Sequence, residues 1–371
     1  MKRNLLLLII LTLCLNLEAQ DPSFSQFYAN RIYLNPAFAG AQEGISINAA
    51  YRNQWHLPHG PLWTGAVSVD VQEECLGSGL SFDVFMDQEG EGVLQTSGVG
   101  FTYAYVLAFK GRGSSRRIFQ DANVHIGFRS SMVQKSIDWS RLIFSDQIDP
   151  INGIVQPSGA IPIRDNYLFP DFDFGLVYRQ EFKHPIYKRT PIRSSLGVSV
   201  HHIFRPIESL YQDLSKLPRR YTIHGGVHIP FAPNRSTVRG RNDKFFIVPN
   251  FRMEFQDQNR LFSYGLYIQT PYAVYFGLFH QNQRLEPVLP DDVKSMVATI
   301  GFDMNSSPSI QNSFGFSYDF NYGGFDNRGG GVFEFTYRIQ FKQSNVLCNS
   351  GLFGNMPPTN AKRIMDCNNF F

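Results

Sequence analysis

The sequence predicts an all-β protein: a transmembrane antiparallel β-barrel of about fourteen strands, with an N-terminal periplasmic arm and a polar C-terminal tail. Three observations carry that expectation. The chain opens on an export signal. Its body repeats segments of about ten residues in which apolar and polar side chains alternate. Most separators between them are Gly, Pro, Asn or Asp turns. Composition agrees, because 34 Phe and 17 Tyr need apolar surroundings and 18% charged residues is too few for a disordered chain. A net charge of +3 without a basic stripe gives no footprint for nucleic acid.

The elements follow in chain order. Lys2 and Arg3 precede an apolar run over 5–15 and a short exit ending near Ala19, which reads as a signal peptide over 1–19. Residues 20–43 form an arm. Within it Pro36 fixes its own φ and restricts Asn35, so the chain turns there before the first strand. The barrel occupies 44–341. Its candidate strands are 44–55, 61–72, 77–88, 94–109, 117–138, 171–181, 194–204, 219–231, 243–258, 260–270, 272–282, 292–306, 311–323 and 329–341.

Two segments show the alternation best. Phe314, Phe316, Tyr318, Phe320 and Tyr322 share one face, opposite Ser313, Gly315, Ser317, Asp319 and Asn321. Phe333, Phe335, Tyr337, Ile339 and Phe341 likewise oppose Glu334, Thr336, Arg338 and Gln340. A soluble sandwich would pack such aromatic faces inward. An exported chain can instead turn them to lipid, where tilted strands of about nine to eleven residues suffice. Hydrocarbon cannot satisfy an open sheet edge, so the sheet must close, and an even count suits closure. Trp55, Trp63, Tyr272 and Tyr322 sit where interfacial girdles belong.

Fourteen strands put both chain ends in the periplasm and the loop near 56–60 outside. A long interruption over 139–170 falls on the same outer side, as a cap or a plug. The segment 205–218 reads as a short helix or a loop between Pro206 and Pro218. The tail, 342–371, carries Cys348 and Cys367, which could close a disulfide in an oxidising compartment. With Cys75 as the third mature cysteine, a bridge to Cys75 and three free thiols stay open as alternatives.

No residue set names an enzyme, a metal or a cofactor. Gly77 and Gly111 lie in Gly-Ser-Gly and Gly-Arg-Gly runs without phosphate-loop spacing. His201 and His202 are neighbours, which on a strand point to opposite faces.

Asp21-Pro-Ser-Phe-Ser-Gln-Phe-Tyr28 and Tyr33-Leu-Asn-Pro-Ala-Phe-Ala-Gly40 resemble the opening of the PorP/SprF family of type IX secretion proteins from the Bacteroidetes. Tyr51-Arg-Asn-Gln-Trp55, Ile137-Asp-Trp-Ser140, Phe144-Ser-Asp-Gln-Ile-Asp-Pro150, Pro170-Asp-Phe-Asp-Phe-Gly175 and Gly197-Val-Ser-Val-His-His202 continue the resemblance in order. It implies a non-enzymatic outer-membrane component of protein secretion, in contact with membrane lipids and the secretion machinery. It further implies a large secreted adhesin, or its C-terminal domain, as partner, with a link to gliding motility in some members. The alternative is a fourteen-stranded channel for a small apolar solute, with the arm as its hatch.

On these blocks the candidate structural or partner-docking residues are Phe24, Gln26, Tyr28, Arg31, Asn35 and Pro36 in the arm and Arg52 and Trp55 beside the first strand. The long loop adds Asp138, Trp139, Asp146, Gln147, Asp149 and Pro150. A charge network of Arg31, Arg52, Asp138 and Asp149 would tie arm and loop to the lumen; ordinary lumen solvation is the alternative.

Overall fold

Period-two alternation makes one surface of the wall apolar and the other polar, and in the computed structural model that wall closes with its polar surface inside. The structure describes residues 21–54, 62–73, 78–90, 94–109, 119–149, 151–156, 158–159, 165–183, 185, 191–210, 215–231, 245–285, 292–323 and 330–342. The expected signal peptide, Trp55, Pro150 and all the cysteines lie outside these residues.

The first five strands are β1 (Ile45–Gln54), β2 (Leu62–Glu73), β3 (Ser78–Glu89), β4 (Leu94–Phe109) and β5 (Phe119–Ser136). A two-stranded hairpin, β6 (Ile148–Asp149) and β7 (Gly153–Ile154), belongs to the long loop. The wall resumes with β8 (Asn166–Phe182), β9 (Ile192–His201), β10 (Arg220–Phe231), β11 (Phe245–Gln256) and β12 (Asn259–Gln269). It ends with β13 (Val274–Leu285), β14 (Val293–Ser307), β15 (Ile310–Gly323) and β16 (Val332–Phe341). Each wall strand pairs antiparallel with the next, β5 with β8 across the long loop. Pairing of β1 with β16, from Ile45 opposite Phe341 to Gln54 opposite Val332, closes a barrel of fourteen strands.

Every expected strand is present. The main difference is β8, which begins at Asn166 instead of near 171. Pro170 resembles a strand terminator, yet it pairs only with Met132 of β5, because β9 reaches no further along β8 than the position opposite Phe174. A residue without an N–H is tolerated at such an edge position. Between Pro206 and Pro218 the described residues contain no helix, only an isolated bridge from Ile207 to Lys216.

The faces sort by polarity. Phe316 and Phe335 are 44% and 46% exposed on the outer surface, whereas their strand neighbours Ser317 and Glu334 are buried in the lumen. Phe82, Phe101, Leu196, Tyr264 and Leu278 extend the outer apolar surface around the wall. A water-soluble barrel would show the reverse, and a membrane barrel needs this arrangement. Phe335→Arg should therefore reduce assembly, by about 2–4 kcal/mol if the residue lies near the bilayer midplane. Phe335→Leu should assemble like the parent. Equal compact, heat-modifiable fractions on gels for the two variants would contradict a lipid-facing position.

The core lies inside the barrel. Residues 21–43 fold into the lumen, where Phe27, Tyr28, Ile32, Leu34 and Phe38 pack against Val177, Val248, Tyr267, Phe279 and Val297 of the wall. The arm expected to lie in the periplasm is thus a plug. A single helical turn, α1 (Arg31–Leu34), and a 3-10 turn over Pro36–Phe38 supply its only regular structure. It enters beside Gln256, whose Oε1 accepts from the Asp21 N–H at 3.1 Å. It leaves beside Gln340, which donates to the Glu43 carbonyl at 3.0 Å. Gln256 closes β11 and Gln340 lies at the other end of the wall. The arm therefore spans the lumen from the distal mouth, where Asp21 sits, to the proximal end, where β1 begins.

Candidate functional site

The wall is shaped to receive the arm. Gly127 of β5 and Gly175 of β8 face each other in register. A Cβ at Gly127 would overlap the backbone of Pro36 and Ala37, and one at Gly175 would overlap the Asn35 side chain and Pro36. The two glycines form a hollow in which the Asn35–Ala37 turn sits. Asn35 anchors the turn there: Nδ2 donates to the Val198 carbonyl at 3.0 Å and the Leu176 carbonyl at 3.3 Å, while Oδ1 accepts from the Ala37 N–H at 2.9 Å. At the proximal end Gly40, with φ of +62°, packs against Gly79 of β3 in the same manner.

Elsewhere the wall binds the main chain of the arm. Glu334 accepts from the N–H groups of Ser25 and Gln26 at 2.7 and 2.8 Å. Arg252 donates to the Phe24 carbonyl at 2.8 Å, Ser199 to the Leu34 carbonyl at 2.9 Å, and the Gly40 N–H donates to Asp70 at 3.0 Å. An irregular segment buried without such partners would leave costly unpaired polar groups. Gln26 is fully buried; its amide donates to Ser317 and accepts from Thr336. Tyr28 meets Tyr267 edge to face at 4.6 Å, and Phe24 meets Tyr33 at 5.6 Å. Three wall guanidiniums lie over plug aromatics, Arg220 over Tyr33, Arg252 over Phe27 and Arg179 over Phe38, at 4.7, 4.9 and 5.4 Å.

Two buried charge clusters fasten the arm. In the first, Arg52 Nη1 lies 3.2 Å from Glu334 and 3.3 Å from Asp319 and donates to the Ser25 hydroxyl. In the second, at the distal mouth, His202 holds Asp21 through Nε2 and Asp171 through Nδ1, both at 2.7 Å, and Arg220 reaches Asp21 at 3.2 Å. Burial disfavours the His202 imidazolium, but Asp21 and Asp171 outweigh it and push its pKa up to about 10. Burial likewise disfavours the Asp21 carboxylate, yet His202 and Arg220 hold it well below the usual carboxylate range.

The structure divides the expected residues. Arg52 joins the arm to the wall, and Arg31 Nε donates to the Tyr28 carbonyl at 3.2 Å. Asp138 and Asp149 join neither. Asp138 caps its own turn and pairs with Arg141, and Asp149 accepts from the N–H groups of Ile151 and Asn152. Hydrogen bonds from Ser140 and from Asn152, respectively, lower their pKa values. Asp146 accepts from the Gly159 N–H at 2.7 Å, Gln147 from the Phe144 N–H at 2.8 Å, and Trp139 stacks on Phe144. The long loop is therefore organised on itself.

His202 departs from the opposite-face expectation. The strand ends at His201, and a φ of +57° at His202 turns its ring back to Asp171. Asp171, Asp173 and His202 place one possible ligand atom each within 4.8 Å, the one such trio among the described residues. With carboxylates on both ring nitrogens, however, His202 carries a proton on each and has no lone pair for a metal. Asp319, Glu334 and Asp21, the partners of Arg52 and His202, carry no local sequence signal beyond lying on polar faces or in the arm.

The profile of the family described as Type IX secretion system membrane protein PorP/SprF matches residues 16–339. No curated protein matches the sequence. Among solved structures, the Ralstonia pickettii toluene transporter TbuX is 10% identical with a TM-score of 0.41, covering 84% of this chain and 94% of its own. The CymD monoaromatic hydrocarbon channel is 10% identical with a TM-score of 0.38, at 85% and 94% coverage. A Pseudomonas aeruginosa FadL homologue is 11% identical with a TM-score of 0.34, again at 85% and 94%.

Proposed function

The chain belongs to the PorP/SprF family of type IX secretion system membrane proteins, and from that premise we propose that it holds an exported adhesin at the cell surface, docked on its distal mouth. It is a non-enzymatic outer-membrane barrel. The observation that carries the proposal is the arm, which fills the lumen and leaves the mouths and loops as the working surfaces. The same observation weighs against a diffusive channel for an apolar solute. The distal end faces outward in this reading, because it bears the longer connections, 137–165 and 202–219, and outer-membrane barrels keep their short turns in the periplasm. The proximal turns are then available to the secretion machinery, and a motility adhesin as cargo would tie the barrel to gliding.

Deleting 141–164 tests the reading, since those residues lie between β5 and β8 and remove no wall strand. The barrel should reach the membrane at parental abundance. Exported proteins whose surface labelling depends on the intact barrel should fall to the level of a strain lacking it. Parental labelling at equal barrel abundance would remove the loop from this role.

A further inference from the structure

We infer that the cavity at the distal mouth is a receptor for one basic side chain, an ammonium or guanidinium on an apolar stem, carried by the protein that the barrel holds. The source of that side chain rests on the function proposed above; the preference for a cation rests on the cavity itself.

The cavity lies between the arm and the wall. Its floor is apolar: Val133, Phe169 and Leu217 form a cluster of their own with Phe85 packed against it, and Tyr33 of the arm closes one side. Around that floor the basic groups are already engaged. Arg129 binds Asp83 at 2.6 Å and Asp173 at 2.8 Å, and Lys135 binds Glu208 at 2.9 Å. Arg220 and His202 are committed to Asp21 and Asp171.

Carboxyl groups are left over. Asp87 and Glu89 share a face of β3, with Thr64 donating to Asp87. Among the described residues neither has a basic partner within ion-pair distance. Asp171, 3% exposed, lines the same cavity; His202 holds its Oδ2, and its Oδ1 accepts no hydrogen bond. Unpaired carboxylate oxygens above an apolar floor call for a donor that is charged at one end and greasy along its length. The mouth already holds one such pairing within the chain, Arg220 over the Tyr33 ring. A bare divalent ion would waste the floor and find no lone pair on His202.

Calorimetric titration of the full-length protein in detergent tests this with four probes: N-acetyl-argininamide, N-acetyl-lysinamide, the neutral N-acetyl-norleucinamide and calcium chloride. One of the two cationic amides should saturate a single site that the norleucine compound does not fill. Asp87→Asn with Glu89→Gln should weaken it about tenfold or more, the loss expected for a charge-assisted hydrogen bond. Glu89 is exposed at the end of its strand, so Glu89→Lys provides a second variant that keeps the fold and supplies the cation internally; it should abolish binding. Equal binding of the norleucine amide, unchanged binding in both variants, or a calcium site that the amides do not contest would each overturn the inference. Purification of the complex separates the two readings. If an adhesin stays with the Glu89→Lys barrel as firmly as with the parent, the cavity is not its receptor and the holding function stands. If the parent retains no exported protein, the holding function falls, while the titration still judges the cavity.

Discussion

Arg52→Met should loosen the arm and lower the stability of the whole barrel. The guanidinium is the cation between two carboxylates, with Asp319 and Glu334 side chains 2% and 0% exposed. Removing one member of a buried ion group leaves charge without compensation, a loss of about 3–5 kcal/mol. The Ser25 and Gln26 N–H groups still reach Glu334, so the carboxylate is not wholly abandoned and the lower half of that range is the better expectation. The rescue identifies the cause: Arg52→Met combined with Asp319→Asn and Glu334→Gln removes charge and counter-charge together and should recover most of the loss. Urea midpoints of the compact form, read beside protease cleavage within 21–43, follow barrel and arm separately. A single variant as stable as the parent, or a triple variant no better than the single one, would mean that this cluster does not fasten the arm.

The wall was legible because its signal is local. Alternation of Phe314 to Tyr322 with Ser313 to Asn321 needs only neighbouring residues, and each of the fourteen strands carries some version of it. Arm seating is not local. Arg52 meets Asp319 and Glu334 across 267 and 282 residues of chain, and only the closing register of β1 with β16 brings them together. Asp138 and Asp149 carry the same chemistry as Asp319, yet in a loop the nearest donors are backbone N–H groups two or three residues on, and those capture them first. The His202 contacts depend on one left-handed backbone angle that its residue type does not announce. The blocks at 21–28 and 33–40 did mark the arm as special, but a lumen plug and an external arm need the same turn at Asn35–Pro36.

Gly175→Val should unseat the arm while leaving the wall closed. Gly175 is paired on both sides, with Gly127 of β5 and Ser199 of β9, so the ladder that holds it does not depend on the plug. Its missing side chain is occupied by Asn35 and Pro36. Overpacking a filled site costs about 1–3 kcal/mol and more where backbone is in the way; at the neighbouring Gly127 the obstruction is the backbone of Pro36 and Ala37. The wall cannot yield without breaking two ladders, so the irregular arm should move. That movement gives up the Asn35 hydrogen bonds to Val198 and Leu176 and exposes the lumen. In planar bilayers the variant should conduct where the parent is closed, and protease should cut within 21–43. Ser130→Val, which places the same side chain on the outer face of β5, should do neither. A Gly175→Val barrel with a protected arm and a closed lumen would show that the glycine hollow is not the seat. A parent that conducts as freely as the variant would show that the arm is no seal, and the solute-channel reading would then displace the surface-docking one.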